Sequence, residues 1–174
     1  SPQASLTLVL DPGKAPAVNG VDGISQKGAR QGNASHYYSM TRLDTRGTIT
    51  IGSTRHVVSG QSWMDHEFGT SLLEPDQAGW DWFALHLADG RDLMLYQMRR
   101  TNGGRDPHSS GTIVGPDGRV TRLRVADYTL APLEFWTSPV TRVRHPIRWR
   151  VTVPGDQRHD GERADDKHGV GQHV

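Results

Sequence analysis

Three ionisable residues lie in one aromatic segment, GQSWMDHEFG, at positions 60–69. In an extended strand successive side chains point to opposite faces, so Trp63, Asp65 and Glu67 share one face and His66 lies on the other. Charged groups in aromatic surroundings are costly unless they are paired or have a chemical role. Two neighbouring carboxyl groups tend to share a proton, which keeps one of them protonated near neutral pH. The pattern therefore predicts an acid that could protonate a carbon–carbon double bond.

A second candidate acid, Asp81, lies in the segment GWDWFALHLADGRDLMLYQMRR. An Asp-Gly pair flanked by apolar alternation is a strong hairpin signal, and a two-residue turn at 89–90 would pair Phe83 with Tyr96. This register places Asp81 on the same face as Phe83, Tyr96 and two methionines, where apolar surroundings would disfavour the carboxylate. The alternative is that Asp81 hydrogen-bonds a loop.

We predict that Asp65 is the proton donor, with Glu67 or Asp81 beside it. In the alternative, structural interpretation, Asp65 and His66 bond backbone amides at the strand end. A structural hydrogen bond is also the favoured role of His66 and His86 taken individually. The ligand-binding candidates are aromatic or imidazole side chains that could surround an apolar molecule and stabilise a cation: Trp63, His66, Trp80, Trp82, His86, Tyr96, Tyr37 and Tyr38.

Metal-dependent or serine hydrolysis is less favoured. Asp65, His66, Glu67 and His86 have side chains that bind metals, but adjacent strand residues point to opposite faces. The chain has no HExxH motif, and GQSWM does not match the GxSxG pattern. The absence of cysteine excludes disulfides and thiolate chemistry. We therefore expect neither a metal nor a cofactor.

Strands must position these residues. Apolar alternation predicts strands over SLTLVL, HYYSMTRL, TITI, RHVVSGQSWMDHEFG, both halves of the Asp-Gly hairpin, GTIVG, RVTRLRV, DYTLAPLEFW and IRWRVTVP. Turns are predicted at 44–47, 52–53 and 116–118, and residues 11–35 are predicted to form a long loop. From His36 onward, about nine short strands without a helical period predict an all-β, antiparallel meander that forms a barrel or a sandwich.

The overall charge favours no polyanionic partner. Twenty Lys and Arg residues offset nineteen Asp and Glu residues, for a net charge of +1. We therefore expect no nucleic acid partner and no attraction to anionic membranes. No apolar run is long enough for a membrane-spanning helix.

The segments ASHYYSMTRL, VSGQSWMDHEFGT, QAGWDWFALHLADGRDLMLYQMR and SSGTIVGPDG resemble, in order and spacing, consecutive motifs of the CrtC/AttH family of carotenoid 1,2-hydratase-like proteins. The resemblance runs from Ser5 to Pro154 and is closer to the AttH branch, whose members are described as predicted secreted hydrolases. It implies a lipocalin-like β-barrel, a periplasmic or secreted location, and a hydrophobic small-molecule ligand of polyene or terpenoid type.

The resemblance also implies two lipocalin-like domains in one chain. We expect residues 1–138 to be the later part of the first domain and residues 139–154 to begin the second. The barrel would then be incomplete, and the remainder of the second domain would be a candidate partner. Residues 155–174 are almost entirely polar. Such a segment cannot bury enough apolar surface to offset its ordering entropy, so we expect a disordered or non-native tail.

Two functions are compatible with these residues and with the resemblance. An enzyme would hydrate or cyclise the bound molecule through a protonated acid. A carrier would use the same pocket without needing the acid. The carboxylates within the aromatic strand favour the enzyme, and a secreted hydrolase is the third and weakest possibility.

Overall fold

The computed structural model describes residues 3–70 and 73–154, so the predicted tail at 155–174 lies outside the described residues. The described chain forms one short 3-10 helix, Val125–Asp127, and eleven strands. The strands are β1 Ala4–Pro12, β2 Ala17–Val18, β3 Ile24–Gln26, β4 Ala34–Ile51, β5 Thr54–Gly69, β6 Gln77–His86, β7 Asp92–Arg100, β8 Ser110–Val114, β9 Val120–Arg124, β10 Thr129–Thr137 and β11 Arg144–Thr152.

The strands form three antiparallel sheets. In the first sheet, β4 is central and pairs with β1, β2, β3 and β5. The second sheet has the order β6-β7-β8-β9, and the third is the hairpin of β10 and β11. The prediction of an all-β antiparallel fold is confirmed. Over the described residues, however, the sheets are open and do not close into a barrel.

Strand β4 is longer than predicted, because the chain does not turn at 44–47. It runs on to Ile51 and pairs with β5 up to the two-residue turn at 52–53, where the predicted turn is confirmed. Gly47 serves a close strand approach instead: a Cβ at this position would lie 2.0 Å from the carbonyl oxygen of Thr7 in β1. The predicted loop at 11–35 also contains β2 and β3, both paired with β4.

The register of the β6–β7 hairpin is one residue away from the predicted one. The Leu87 amide donates to the Arg91 carbonyl at 2.9 Å, which leaves three loop residues rather than two, with Gly90 at φ 84°. Three-residue hairpin loops place glycine in this left-handed conformation. Trp82 therefore pairs with Tyr96, whereas Phe83 was predicted to do so.

The second sheet is covered on both faces. One face packs on the third sheet through Phe83, Leu93, Leu95, Leu123 and Tyr128. The other packs on the first sheet through a cluster of Tyr37, Met94, Tyr96 and Met98, with Trp63 and Trp82 at its edge. This arrangement explains why both faces of the β6–β7 hairpin are largely apolar in sequence.

The apolar strand pattern predicts the highest burial for Trp63, Trp80, Trp82, Phe83, Leu85, Met94, Leu95 and Tyr96. Burial follows this prediction only in part. Phe83, Met94, Leu95 and Tyr96 are buried as predicted. Trp80 is 37% exposed, so the prediction that it is deeply buried is wrong. Trp63, Trp82 and Leu85 are partly buried.

A buried carboxylate in β7 ties the first two sheets together. Asp92 is fully buried and accepts hydrogen bonds from Lys14 at 2.8 Å, Thr41 at 2.9 Å and Arg42 at 2.5 Å. Burial alone would raise the pKa of Asp92, but hydrogen bonds from Arg42, Lys14 and Thr41 outweigh it and lower the pKa below its ordinary value. A buried charge with this many donors is satisfied.

We expect Asp92→Asn to lower the free energy of unfolding by about 3 kcal/mol, because it leaves the buried Lys14 ammonium group and the partly buried Arg42 guanidinium group without their counter-ion. Urea unfolding at neutral pH measures the loss. Asp11→Asn is the matched control, since the Asp11–Arg46 pair is more than half exposed and should be worth less than about 1 kcal/mol.

Asp92→Asn should also reduce the loss of stability at acid pH, measured as the free energy of unfolding against pH. The lowered pKa means that Asp92 stabilises the fold above the pKa of the unfolded carboxyl, about 4, and that this stability is lost as pH falls through the folded value. Equal losses of unfolding free energy in Asp92→Asn and Asp11→Asn would contradict the bridging role of Asp92.

Candidate functional site

A cavity of ≈ 170 Å³ is lined by side chains from the first and second sheets, together with Lys27 after β3 and Leu73 before β6. Strand pairing explains why they meet. Tyr37 lies opposite Glu67 across β4 and β5, and Trp82 lies opposite Tyr96 across β6 and β7. The lining side chains combine an aromatic and apolar wall with one charged pair: Lys27, Tyr37, Glu67, Leu73, Trp80, Trp82, Tyr96 and Met98.

The Tyr37 hydroxyl connects the cavity to a carboxyl group behind it. It donates to Asp65 at 3.0 Å and accepts from the Trp82 indole nitrogen at 3.3 Å. Burial, reinforced by the nearby Asp65 carboxylate, raises the pKa of Tyr37 well above its ordinary value. The hydroxyl therefore stays protonated across the physiological range.

Asp65 is partly buried and accepts three hydrogen bonds. The donors are the Ser39 hydroxyl, the Tyr37 hydroxyl and the Trp63 indole nitrogen, the last at 3.0 Å. Burial is the main cause that raises the pKa of Asp65; the three hydrogen bonds oppose it and the nearby Glu67 charge adds to it. The net effect is a raised pKa, so desolvation prevails over the donors.

Glu67 forms an ion pair with Lys27, a residue that the sequence did not identify as part of the site. Its carboxylate accepts from Ser35 at 2.5 Å and from the Lys27 ammonium group at 2.6 Å. The same ammonium group lies 4.1 Å from the centre of the Tyr96 ring and 5.3 Å from that of Tyr37. Lys27 follows β3 in a segment predicted as loop, where no periodic pattern indicated the direction of its side chain.

Asp81 lies on the other face of the second sheet. It is paired across the strands with Gln97, and its carboxylate is 3.8 Å from Arg99. Burial raises the pKa of Asp81, and Arg99 opposes the rise. The one-residue difference in register separates it from Tyr96, with which the sequence had grouped it. The structure therefore brings Asp65 and Glu67 to one site and leaves Asp81 outside.

Of the remaining candidates, His66 and Tyr38 belong to the first sheet and His86 belongs to β6 in the second. His66 and Tyr38 lie on the face opposite Tyr37, where the His66 Nδ1 and the Tyr38 hydroxyl are 2.9 Å apart. His86 Nε2 donates to the Thr41 carbonyl at 2.7 Å, and its ring is 5.7 Å from that of Trp63. Both histidines thus have structural partners.

The structure gives no group of three or more His, Asp or Glu side chains, within residues 3–70 and 73–154, that could hold a metal ion. In the same part of the chain, no helix has the length and apolar character needed to cross a membrane.

Comparison with known proteins gives one family match and similar solved structures. The model of the AttH-like family matches residues 1–162. The crystal structure of a protein described as an AttH from Nitrosomonas europaea has a TM-score of 0.81 and 29% identity, over 87% of this chain and 46% of that chain. Kievitone hydratase from Nectria haematococca has a similar fold, with a TM-score of 0.69 and 18% identity over 89% of this chain and 47% of that chain.

The chain thus spans about half the length of the solved structures that it matches. Among curated proteins, none matches it.

We expect Tyr37→Phe to raise the pKa of Asp65 further, because the Tyr37 hydroxyl bond favours the carboxylate. Titration of the aspartate carboxyl carbons by NMR measures the change. Tyr38→Phe is the matched control, since this hydroxyl bonds His66 on the opposite face, and it should leave the Asp65 titration unchanged. An unaltered titration in Tyr37→Phe would contradict the coupling of the two groups.

Proposed function

This chain belongs to the AttH-like family, and from that premise we propose that its cavity binds an apolar small molecule with a carbon–carbon double bond, of polyene or terpenoid type. We further propose that Asp65 supplies the proton for hydration of that bond. Cyclisation would begin with the same protonation and differ only in which group captures the cation.

The observation that carries the proposal is the placement of a carboxyl group with a raised pKa directly behind an aromatic cavity. A raised pKa keeps more of the acid protonated near neutral pH, which alkene protonation requires. Trp80, Trp82 and Tyr96 line the cavity, and the faces of aromatic rings stabilise a cation. A protein of similar fold is named a hydratase, which supports the same class of reaction.

The proton would pass through Tyr37, whose hydroxyl lies between Asp65 and the cavity. When Asp65 is protonated, the Tyr37–Asp65 hydrogen bond reverses: the carboxyl group donates to the Tyr37 oxygen, and the Tyr37 hydroxyl proton can point into the cavity. The electron pair of the double bond then forms a new C–H bond with that proton as the Tyr37 O–H bond breaks, while the Tyr37 oxygen takes the proton of Asp65. A carbocation and an Asp65 carboxylate result. Water then adds to the cation, and its released proton returns through Tyr37 to Asp65, so that both groups are restored.

A carrier without catalysis is the second candidate. It is favoured by the three hydrogen bonds that Asp65 accepts from Tyr37, Ser39 and Trp63, because these give the carboxylate a structural role that needs no substrate. The carrier would use the same aromatic wall and bind the same class of molecule.

We expect Asp65→Asn in the full-length protein to lower turnover about 10²–10⁴-fold, the usual worth of a positioned acid, while ligand binding is retained. The substrate is the apolar alkene extracted from the purified protein, and mass spectrometry in ¹⁸O-labelled water detects the hydrated product.

Asp81→Asn is the matched control, because Asp81 is also a partly buried acid with a raised pKa but lies on the other face. It should keep wild-type turnover. Undiminished turnover in Asp65→Asn would refute the acid assignment, and ligand binding without turnover in the wild type would favour the carrier.

A further inference from the structure

We infer, on the premise of the proposed function, that the ligand carries an un-ionised hydroxyl group and that Lys27 and Glu67 select it. The resulting substrate class is an apolar alcohol or phenol, rather than a pure hydrocarbon or a carboxylic acid.

The inference starts from a charged pair in an otherwise aromatic and apolar cavity. Lys27 and Glu67 both line the cavity, and their ammonium and carboxylate groups are 2.6 Å apart. The Lys27 side chain is only 13% exposed. Leu73, Trp82 and Met98 line the same cavity and provide no charge. The Glu67 side chain is 39% exposed, so only the Lys27 end of the pair is largely withdrawn from water. A pocket for a plain hydrocarbon needs no such pair, and burying the Lys27 ammonium group carries a desolvation cost.

The charges of this pair are already balanced. The Lys27 ammonium group has Glu67 as its counter-ion and the faces of Tyr96 and Tyr37 as further partners. An anionic ligand would meet the Glu67 carboxylate, and a cationic ligand would meet Lys27. Either would bring a ligand charge close to a like charge, which is unfavourable in a cavity lined mainly by aromatic and apolar side chains.

A neutral hydroxyl group suits both members of the pair. Its oxygen accepts from the Lys27 ammonium group, which has three donors, and its proton is donated to the Glu67 carboxylate. The ligand thereby gains two charge-assisted hydrogen bonds without adding net charge. A hydrocarbon lacks both bonds, and a carbonyl group could make only the bond to Lys27.

The pair also lies where it could position the reacting bond. Glu67 is directly opposite Tyr37 in the β4–β5 register, and directly opposed residues have Cβ atoms about 5 Å apart. The Lys27 ammonium group is 5.3 Å from the centre of the Tyr37 ring, so a hydroxyl group held by Lys27 and Glu67 would fix one end of the ligand beside Tyr37. Lys27 and Glu67 are therefore positioning and specificity residues in this account.

The test compares three probes with one apolar body: naphthalene, 2-naphthol and 2-naphthoate. Equilibrium dialysis against the full-length protein at pH 7 measures their dissociation constants. We expect 2-naphthol to bind about tenfold more tightly than naphthalene. This factor corresponds to a net gain of about 1.4 kcal/mol from the hydrogen bonds of the hydroxyl group. We expect 2-naphthoate to bind more weakly than 2-naphthol by a similar factor.

The double variant Lys27→Met, Glu67→Gln removes both charges and keeps the side chains nearly the same length. It should lose the preference for 2-naphthol over naphthalene. The matched control is Arg148→Met, Glu134→Gln, which removes an exposed ion pair in the third sheet and should leave all three constants unchanged.

The outcomes separate this inference from the function on which it rests. If naphthalene binds but 2-naphthol binds no more tightly, or if the double variant keeps the preference, the hydroxyl inference is overturned and the apolar cavity stands. Tighter binding of 2-naphthoate than of 2-naphthol would also overturn the inference and would indicate that the ligand carries an anionic group instead of a hydroxyl group. If no probe binds, the proposed ligand cavity fails and the inference fails with it.

Discussion

An ion cluster around Asp92 couples the first and second sheets, and the candidate site depends on that coupling. Asp92 belongs to β7, whereas its donors Thr41 and Arg42 belong to β4 and Lys14 to the preceding loop. A fully buried carboxylate must keep these donors, because an unpaired charge would be costly to bury. The cluster thus holds the Tyr37 face of β4 against the Tyr96 face of β7, which is the geometry that encloses the cavity.

The chemistry of the site follows from two carboxylates in unequal surroundings. Asp65 is surrounded by hydroxyl and indole donors, and desolvation still raises its pKa. Glu67, on the same strand face, is bound directly to the Lys27 ammonium group. The two acids therefore divide their roles: Asp65 is the proposed acid, and Glu67, which is bound to Lys27, is the proposed acceptor for a ligand hydroxyl group.

Strand alternation was sufficient to predict the grouping of Trp63, Asp65 and Glu67, because the side-chain period of a strand does not depend on its partners. The hairpin register was not predictable in the same way. Asp-Gly is compatible with loops of two or three residues, and the difference of one residue moved Asp81 to the other face. Lys27 was missed because its placement depends on tertiary packing of a segment without periodicity.

The central claim is that the cavity holds an apolar, unsaturated molecule. The most direct measurement is mass spectrometry of the organic extract of the full-length protein, compared with Met98→Trp, in which a larger side chain fills the cavity. Overpacking costs about 1–3 kcal/mol, so circular dichroism must first verify that the variant folds. We predict that the extract of the wild-type protein contains a hydroxyl-bearing alkene in an amount comparable with that of the protein. The extract of Met98→Trp should lack this molecule. Equal recovery from both proteins, or an extract without such a molecule, would contradict the account.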